Sequence, residues 1–388
     1  MPSSGSPAGV DGGEPSLIIA RAPLRISFAG GGTDLPAYYE QYGGLVLSTT
    51  ITRSVYAVLS AGDYEHLHIT SSNYRTVYMN DPNSDAHDER LALPWAVAQA
   101  MGLERGASVL LTAEVPAGTG LGSSSAQAAA LIMAIAAFQG QSLPPLEVAE
   151  LAARIEIVRL GQPIGKQDQY ATAYGGINAF EFRADGVGVT PIAAPDEVRR
   201  GLESHLALYF TGSTRQAGSI LQEQRVRTAS GEARTIESLH AIKEGVAPMR
   251  AALEAGDYTT MGALLHEGWA LKRRVSSGIS TSAIDTAYTA ARQAGALGGK
   301  ITGAGGGGFL LLLAPPDAHA AVNAALTPLG LRHMPFALEP RGAHTLVVER
   351  HGSSLGDEPD PGPTAAALTP DPWLTGPSAA AGGPAHSP

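Results

Sequence analysis

The segment Pro116-Ala-Gly-Thr-Gly-Leu-Gly-Ser-Ser-Ser-Ala126 brings three glycines and three serines to the start of an alanine-rich helix, the chemistry of a phosphate cradle. Glycine lets the backbone approach phosphate oxygens, and serine hydroxyls bond phosphate or ligate Mg²⁺. Unpaired N–H groups and the positive end of the helix dipole favour an anion there. Val109 to Val115 reads as a strand before this loop, and Gln127 to Phe138 as a helix after it. A plain turn with an N-cap has the same composition, so the loop alone leaves both readings open. Two familiar phosphate motifs are excluded. A Walker A loop needs Lys and then Ser or Thr after its last glycine, where Ser123 follows Gly122, and the dinucleotide fingerprint needs its third glycine at that same position.

Two more glycine-rich stretches adjoin strands. Gly30-Gly-Gly-Thr-Asp34 follows a strand over Leu17 to Phe28, and Gly298-Gly-Lys-Ile-Thr-Gly-Ala-Gly-Gly-Gly-Gly308 runs into a strand over Phe309 to Ala314. Such loops are costly in backbone entropy unless something binds against them, so the three together suggest one polyanionic ligand.

The elements that would position these loops follow from periodicity and breakers. A short helix is expected around Pro36 to Gln41 and extended chain from Leu45 to Leu59. Pro144-Pro145 opens a helix over Leu146 to Arg159, and a loop with Gly161, Pro163 and Gly165 leads to Lys166-Gln-Asp-Gln-Tyr170. The second half has a strand at His205 to Phe210 and helices near 213–255, 257–274 and 281–295. Strands and helices mix without regular βαβ alternation, which favours an α+β fold. No solenoid repeat is present.

At 388 residues the chain exceeds one ordinary core, so two lobes are expected within an ordered region from about 17 to 351. Residues 1–16 and 352–388 are rich in Gly, Pro, Ser and Ala and are read as disordered tails. The longest uncharged apolar run, Ala128 to Phe138, is too short to span a membrane, and no signal peptide pattern opens the chain, which predicts a soluble intracellular protein. The absence of cysteine excludes disulfides, thiolate metal sites and a cysteine nucleophile. A net charge of −10 argues against nucleic acid or an anionic membrane as the main partner, so an anionic ligand must be held by local bases and backbone amides.

Three segments, in order, carry a family resemblance: Arg21-Ala-Pro-Leu-Arg-Ile-Ser-Phe-Ala-Gly-Gly-Gly-Thr-Asp34, the loop at 116–126, and Lys300-Ile-Thr-Gly-Ala-Gly-Gly-Gly-Gly308. On them the sequence closely resembles the GHMP kinases (galactokinase, homoserine kinase, mevalonate kinase and phosphomevalonate kinase) over about 17 to 350. The resemblance implies a ribosomal-S5-like N-terminal lobe at 17–200 and a split-βαβ C-terminal lobe at 201–351, with ATP between them. It implies that Pro116, Gly118, Gly120, Leu121, Gly122, Ser123, Ser124 and Ser125 bind the nucleotide, and that Ser124 with Glu156 holds Mg²⁺. Asp168 would be the catalytic base, accepting the proton of a sugar hydroxyl as it attacks the γ-phosphorus. Arg25 would lower the nucleophile's pKa or stabilise transferring charge. By pattern alone Glu156 also suits a solvated helix face and Asp168 an Asx-turn.

The Gly-Gly-Gly-Thr-Asp ending of the first motif departs from the Gly-Glu-His-Thr-Asp of galactokinases. With Gly165-Lys-Gln-Asp-Gln169 and Trp269-Ala-Leu-Lys-Arg273 before Gly278-Ile-Ser280, it looks like the subgroup of D-glycero-D-manno-heptose 7-phosphate kinases, and fucokinase domains share part of the pattern. That likeness implies phosphorylation of the anomeric C1 hydroxyl of a phosphorylated higher sugar, with Gly31, Gly32, Thr33, Asp34, Gly305 and Gly306 near the substrate. Octose 8-phosphate and fucose are alternative acceptors. A catalytically silent sensor and a diphosphomevalonate decarboxylase are readings that Ser124, Glu156, Asp168 and the Gly-Gly-Thr-Asp segment speak against. The substrate's own phosphate needs cations, for which Arg21, Arg53, Lys166, Lys272 and Arg273 are candidates. Lys272 and Arg273 equally suit a solvated helix face, and Lys300 either approaches the nucleotide or caps a helix. A cytoplasmic monomer or homodimer is expected, with a small-molecule sugar phosphate and ATP as partners.

Overall fold

Every second residue of the first strand is apolar, and in a computed structural model Ile18, Ala20, Ala22, Leu24, Ile26 and Phe28 are all buried in the core. That alternation sends Arg25 and Ser27 to the opposite face of the strand, where the glycine loops gather. The structure describes residues 15–72, 76–79, 91–214 and 218–350. Its first half runs β1 (Pro15–Ala29), α1 (Pro36–Tyr42), β2 (Gly44–Ala61), β3 (His68–Ser71), β4 (Thr76–Met79), α2 (Ala92–Ala100), β5 (Ala107–Ala113), α3 (Ser123–Phe138), α4 (Pro145–Ala153), a π-helix (Arg154–Arg159), α5 (Gln167–Tyr174), β6 (Ile177–Arg183) and β7 (Gly186–Pro191).

Together with β12 (His344–Arg350), these strands form one mostly antiparallel sheet in the order β12-β1-β2-β5-β3-β4, with β6 and β7 continuing from β2. β2 is long enough to serve two partners: Gly44 to Thr49 pairs with β6, and Val55 to Ala61 pairs with β5. Helix α3 packs on β1 and β2. Its alanines keep it slim, so Ala126 to Ile132 are buried on every side and the helix N-terminus is fixed relative to β1.

The second half runs α6 (Asp196–His205), β8 (Leu206–Phe210), α7 (Gly218–Ala229), α8 (Ala233–Glu244), α9 (Val246–Ala255), α10 (Tyr258–Val275), α11 (Ser282–Gln293), β9 (Gly298–Ile301), β10 (Phe309–Leu313), α12 (His319–Leu326), β11 (Arg332–Met334) and β12 (His344–Arg350). β8 to β11 form a separate antiparallel sheet, β11-β8-β10-β9, whose β8 and β10 are buried throughout. α10 packs along β9.

The sequence expectations need five adjustments. The last strand, β12, leaves the second half and pairs with β1, covering an edge that would otherwise be open. The region 213–255 holds three helices, because Gly231 turns left-handed (φ 71°) and Pro248 cannot continue α8. The helix expected over 146–159 is α-helical only to Ala153 and then widens to i→i+5 bonding, with Leu160 N–H donating to Ile155 O. The third glycine stretch begins as strand β9, and residues 15 and 16 already belong to β1. The rest of both expected tails lies outside the described residues. Among the described residues, no helix is long and apolar enough to cross a membrane.

Candidate active site

The three glycine loops meet. Thr302 Oγ1 donates to Thr119 O at 3.1 Å, Arg25 N donates to Leu121 O at 3.0 Å, and Lys272 Nζ donates to Gly31 O at 3.1 Å. Gly120 and Gly308 mark the close approach of the second and third loops: a Cβ on Gly120 (φ 78°) would stand 2.5 Å from the backbone O of Thr302, and one on Gly308 2.3 Å from that of Thr119. Between the loops lies a cavity of about 260 Å³.

Gly122 is the left-handed N-cap of α3, and it lies beside Arg25 and Asp168, whose Cγ atoms are each 3.4 Å from the position of a Cβ. Helix α3 therefore points its free N–H groups and Ser123 to Ser125 into the cavity. Arg25 donates through Nε and Nη2 to Oδ1 of Asp168, at 2.8 and 2.6 Å, and through Nη1 to Gly120 O at 2.7 Å. The arginine side chain is 3% exposed and the aspartate 26%, so the carboxylate opens to the cavity while its counter-ion is sealed behind it.

Glu156 sits in the π-helix and is fully buried. Ser124 Oγ donates to its Oε1 at 2.5 Å, while Ser125 Oγ and Gln169 Nε2 donate to Oε2 at 2.8 and 2.6 Å. Burial pushes this carboxyl above its ordinary pKa, and the three hydrogen bonds pull against that rise. One carboxylate and one hydroxyl beside a phosphate cradle are hard oxygen donors of the kind Mg²⁺ takes when phosphates supply its remaining ligands. The residues present fit that ion.

Asp34 also lines the cavity; its Oδ1 accepts from Gly32 N at 3.0 Å and its Oδ2 from Gln167 N at 3.3 Å. Burial raises its pKa, the charge of Asp168 adds to the rise, and Lys272 opposes it. Burial lowers Lys272 against the attraction of Asp34. Lys300 Nζ reaches across from β9 to Ser27 Oγ at 2.9 Å. Burial, with Lys272 and Arg25 nearby, pushes its ammonium down to about 7.

The cavity wall thus unites Arg25, Gly31, Gly32, Asp34, Gly118, Gly120, Gly122, Ser123, Ser124, Ser125, Glu156, Asp168 and Lys272. Other expected residues stand outside it. Thr33 is fully buried and donates to Gly30 O and Leu45 O, pinning the first loop to β2. Leu121 is buried, and Pro116 O accepts from Thr119 Oγ1, so both shape the second loop from behind. Gly305 packs against Ile279, whose O accepts from Gly306 N.

The cations divide in the same way. Arg21 is paired with Glu339 at 2.8 Å, Arg273 with Asp285 at 3.1 Å and Lys166 with Glu150 at 3.5 Å, while Arg53 donates to Pro335 O. Of the five basic candidates, only Lys272 lines the cavity. Residues that sequence reasoning passed over are Ser27, Gln167 and Gln224, the last donating to Gly32 O at 3.0 Å from α7. Neutral amides on helices carry no sequence signal that separates them from solvated positions.

Comparison with known proteins is consistent across sequence and structure. The family profile described as GHMP kinases N terminal domain matches residues 91–176, and that described as GHMP kinases C terminal matches 249–327. The D-glycero-alpha-D-manno-heptose 7-phosphate kinase of Campylobacter jejuni is 32% identical over 307 residues, covering 77% of this chain and 90% of that protein. The L-fucokinase/L-fucose-1-P guanylyltransferase of Bacteroides fragilis is 28% identical over 80% of this chain, which spans only 36% of that longer protein. The crystal structure of a D-glycero-D-manno-heptose 1-phosphate kinase from Bacteroides thetaiotaomicron superposes with a TM-score of 0.71 at 30% identity, covering 86% of this chain and 99% of the other.

Proposed function

The chain belongs to the GHMP kinase family, and on that premise we propose that it transfers the γ-phosphoryl group of ATP to the anomeric C1 hydroxyl of D-glycero-D-manno-heptose 7-phosphate, giving the 1,7-bisphosphate. The observation that carries this reading is the Arg25-held carboxylate of Asp168, open to a cavity lined also by the serine-bearing N-terminus of α3 and by Asp34.

The triphosphate lies on the second glycine loop, where backbone N–H groups and the hydroxyls of Ser123 to Ser125 meet its oxygens. Asp34 and Lys272 hold the sugar. The C1 hydroxyl gives its proton to Asp168 as its oxygen bonds to the γ-phosphorus, and the bond from that phosphorus to the β,γ-bridging oxygen breaks to release ADP. Arg25 holds the Asp168 carboxylate aimed at the acceptor. Ser124 and Glu156 would hold Mg²⁺, which when bound neutralises phosphate charge. Positioning and charge supply most of the rate in such a reaction.

A neutral sugar such as fucose is the second reading. It is favoured by the apolar residues Leu221, Ile242, Leu264 and Leu271 on the α7, α8 and α10 side of the cavity. An ADP-release assay across heptose 7-phosphate, octose 8-phosphate, fucose and galactose separates these acceptors, and phosphorus NMR of the product locates the new ester. Turnover of fucose in preference to the heptose phosphate would favour the second reading, and no turnover on any sugar would overturn the kinase assignment.

A further inference from the structure

One polar side chain in the cavity wall takes no part in the chemistry described above. Gln167 opens α5, one residue before Asp168, and is 8% exposed. Its backbone N–H is committed to Asp34, but its side-chain Oε1 is sealed from solvent and has no hydrogen-bond partner among the described residues. A buried amide oxygen left unpaired is unfavourable in a protein interior, and Gln167 is among the residues that line the cavity, where a ligand can supply a donor.

The chemistry of that ligand is restricted. An amide oxygen accepts hydrogen bonds, and phosphate oxygens at neutral pH offer only acceptors, so neither the triphosphate nor a sugar's own phosphate satisfies it. A sugar hydroxyl does, because it donates to Oε1 while its oxygen accepts from another group. The placement narrows the choice further. Gln167 lies two residues after Gly165, which packs against Asp34, donates its own N–H to Asp34 Oδ2 and immediately precedes the proposed base, so its backbone ties the residue proposed to grip the sugar to the one proposed to take the reacting proton.

We propose that the Gln167 carboxamide is a specificity-determining group that binds the hydroxyl next to the one phosphorylated, acting beside Asp34 to read two neighbouring hydroxyls of the acceptor. This deepens the kinase reading and rests on it for the identity of the reacting hydroxyl. The ligand class is a sugar with a free C2 hydroxyl, and a 2-deoxy sugar leaves Oε1 buried and unpaired.

The test compares wild type, Gln167→Ala and Gln167→Glu on D-glycero-D-manno-heptose 7-phosphate and on its 2-deoxy analogue. The expected result is an acceptor KM raised about tenfold in Gln167→Ala with the ATP KM unchanged, the size of one neutral hydrogen bond. Wild type discriminates against the 2-deoxy analogue, and Gln167→Ala loses that discrimination, so the two deletions are not additive. Additive losses, a rise in the ATP KM alone, or unchanged kinetics would overturn the proposal. Gln167→Glu keeps the shape and guards against a folding defect: ATP-induced thermal stabilisation must survive in it, and with that intact its acceptor KM must also rise. If wild type turns over no sugar, the kinase reading fails separately. Saturation-transfer NMR with the same heptose phosphate then decides the role of Gln167, since binding that is equal in wild type and Gln167→Ala overturns it and binding lost only in the variant supports it.

Discussion

Arg25 and Asp168 lie 143 residues apart in sequence, yet the guanidinium places two nitrogens on a single oxygen of the carboxylate, at 2.8 and 2.6 Å. The other carboxylate oxygen has no hydrogen-bond partner among the described residues and can accept a proton. Because Arg25 also donates to Gly120 O, the same side chain fixes the second glycine loop and the proposed base in one geometry. A lysine cannot replace that fork.

Asp168→Asn keeps the size of the side chain and removes its capacity to accept the acceptor's proton. The expected outcome is a fall in kcat on the order of 10²–10⁴-fold with ATP affinity nearly unchanged, since the α3 cradle does not use the carboxylate. Steady-state kinetics alongside nucleotide calorimetry checks it. Loss of ATP affinity with kcat retained would show that Asp168 serves the nucleotide and not the acceptor.

Gly120→Ala meets two obstacles together. Its φ of 78° disfavours any L side chain, and the new methyl would stand 2.5 Å from the backbone O of Thr302. The second and third loops must then separate, which moves the amides that face the triphosphate. We expect the ATP KM to rise at least tenfold and the melting temperature to fall, whereas Gly140→Ala, with nothing within 4 Å of its Cβ position, pays only the backbone strain of its φ of 70° and leaves the ATP KM unchanged. Equal ATP KM values in the two variants would contradict the close-packing account.

How much of this was legible in the sequence depends on what kind of force places each residue. The glycine loops were, because a left-handed turn beside a strand or helix end is written locally in residue type. Asp34, Asp168, Ser124 and Glu156 became legible only through the order of three distant motifs, since nothing local brings β1, α3 and α5 together. The surroundings of Arg21, Arg53 and Arg273 were not legible, because a long basic side chain takes whichever partner the tertiary fold supplies: Glu339, Pro335 O and Asp285. The π-helical turn that carries Glu156 lies outside a search for a 3.6-residue period. Strand β12 was missed because its pairing depends on the open edge of β1, more than 300 residues earlier.

Lys300 makes stability depend on pH in a definite direction. Its ammonium has an ordinary value of 10.5 and is pushed down to about 7 by burial in the folded chain. Between these values the unfolded chain holds the proton that the folded chain has released, so the contribution of this group rises with pH from 7 towards 10.5 and is lost as pH falls through 7. Lys300→Met removes that slope. Melting temperatures across this window, without nucleotide, are expected to climb more steeply for wild type than for the variant, and parallel curves would refute the assignment. ATP is expected to flatten the wild-type slope, because its phosphates favour the charged amine.

Glu156→Gln tests the proposed Mg²⁺ position while preserving shape. The carboxylate accepts from Ser124, Ser125 and Gln169; an amide can accept at one atom only, and its NH₂ must then face the amide of Gln169 or the hydroxyl of Ser124. The Mg²⁺ concentration needed for half-maximal activity is therefore expected to rise at least tenfold, with a smaller change in the acceptor KM. Stability moves the other way. Burial raises the folded pKa of Glu156, so its contribution is fullest below the ordinary carboxyl range and declines as pH rises through the raised value. Without nucleotide or metal, the variant should then match or exceed wild type in melting temperature at neutral pH and lose that advantage in acid. A variant with unchanged Mg²⁺ dependence, well folded by that measure, would place the ion elsewhere.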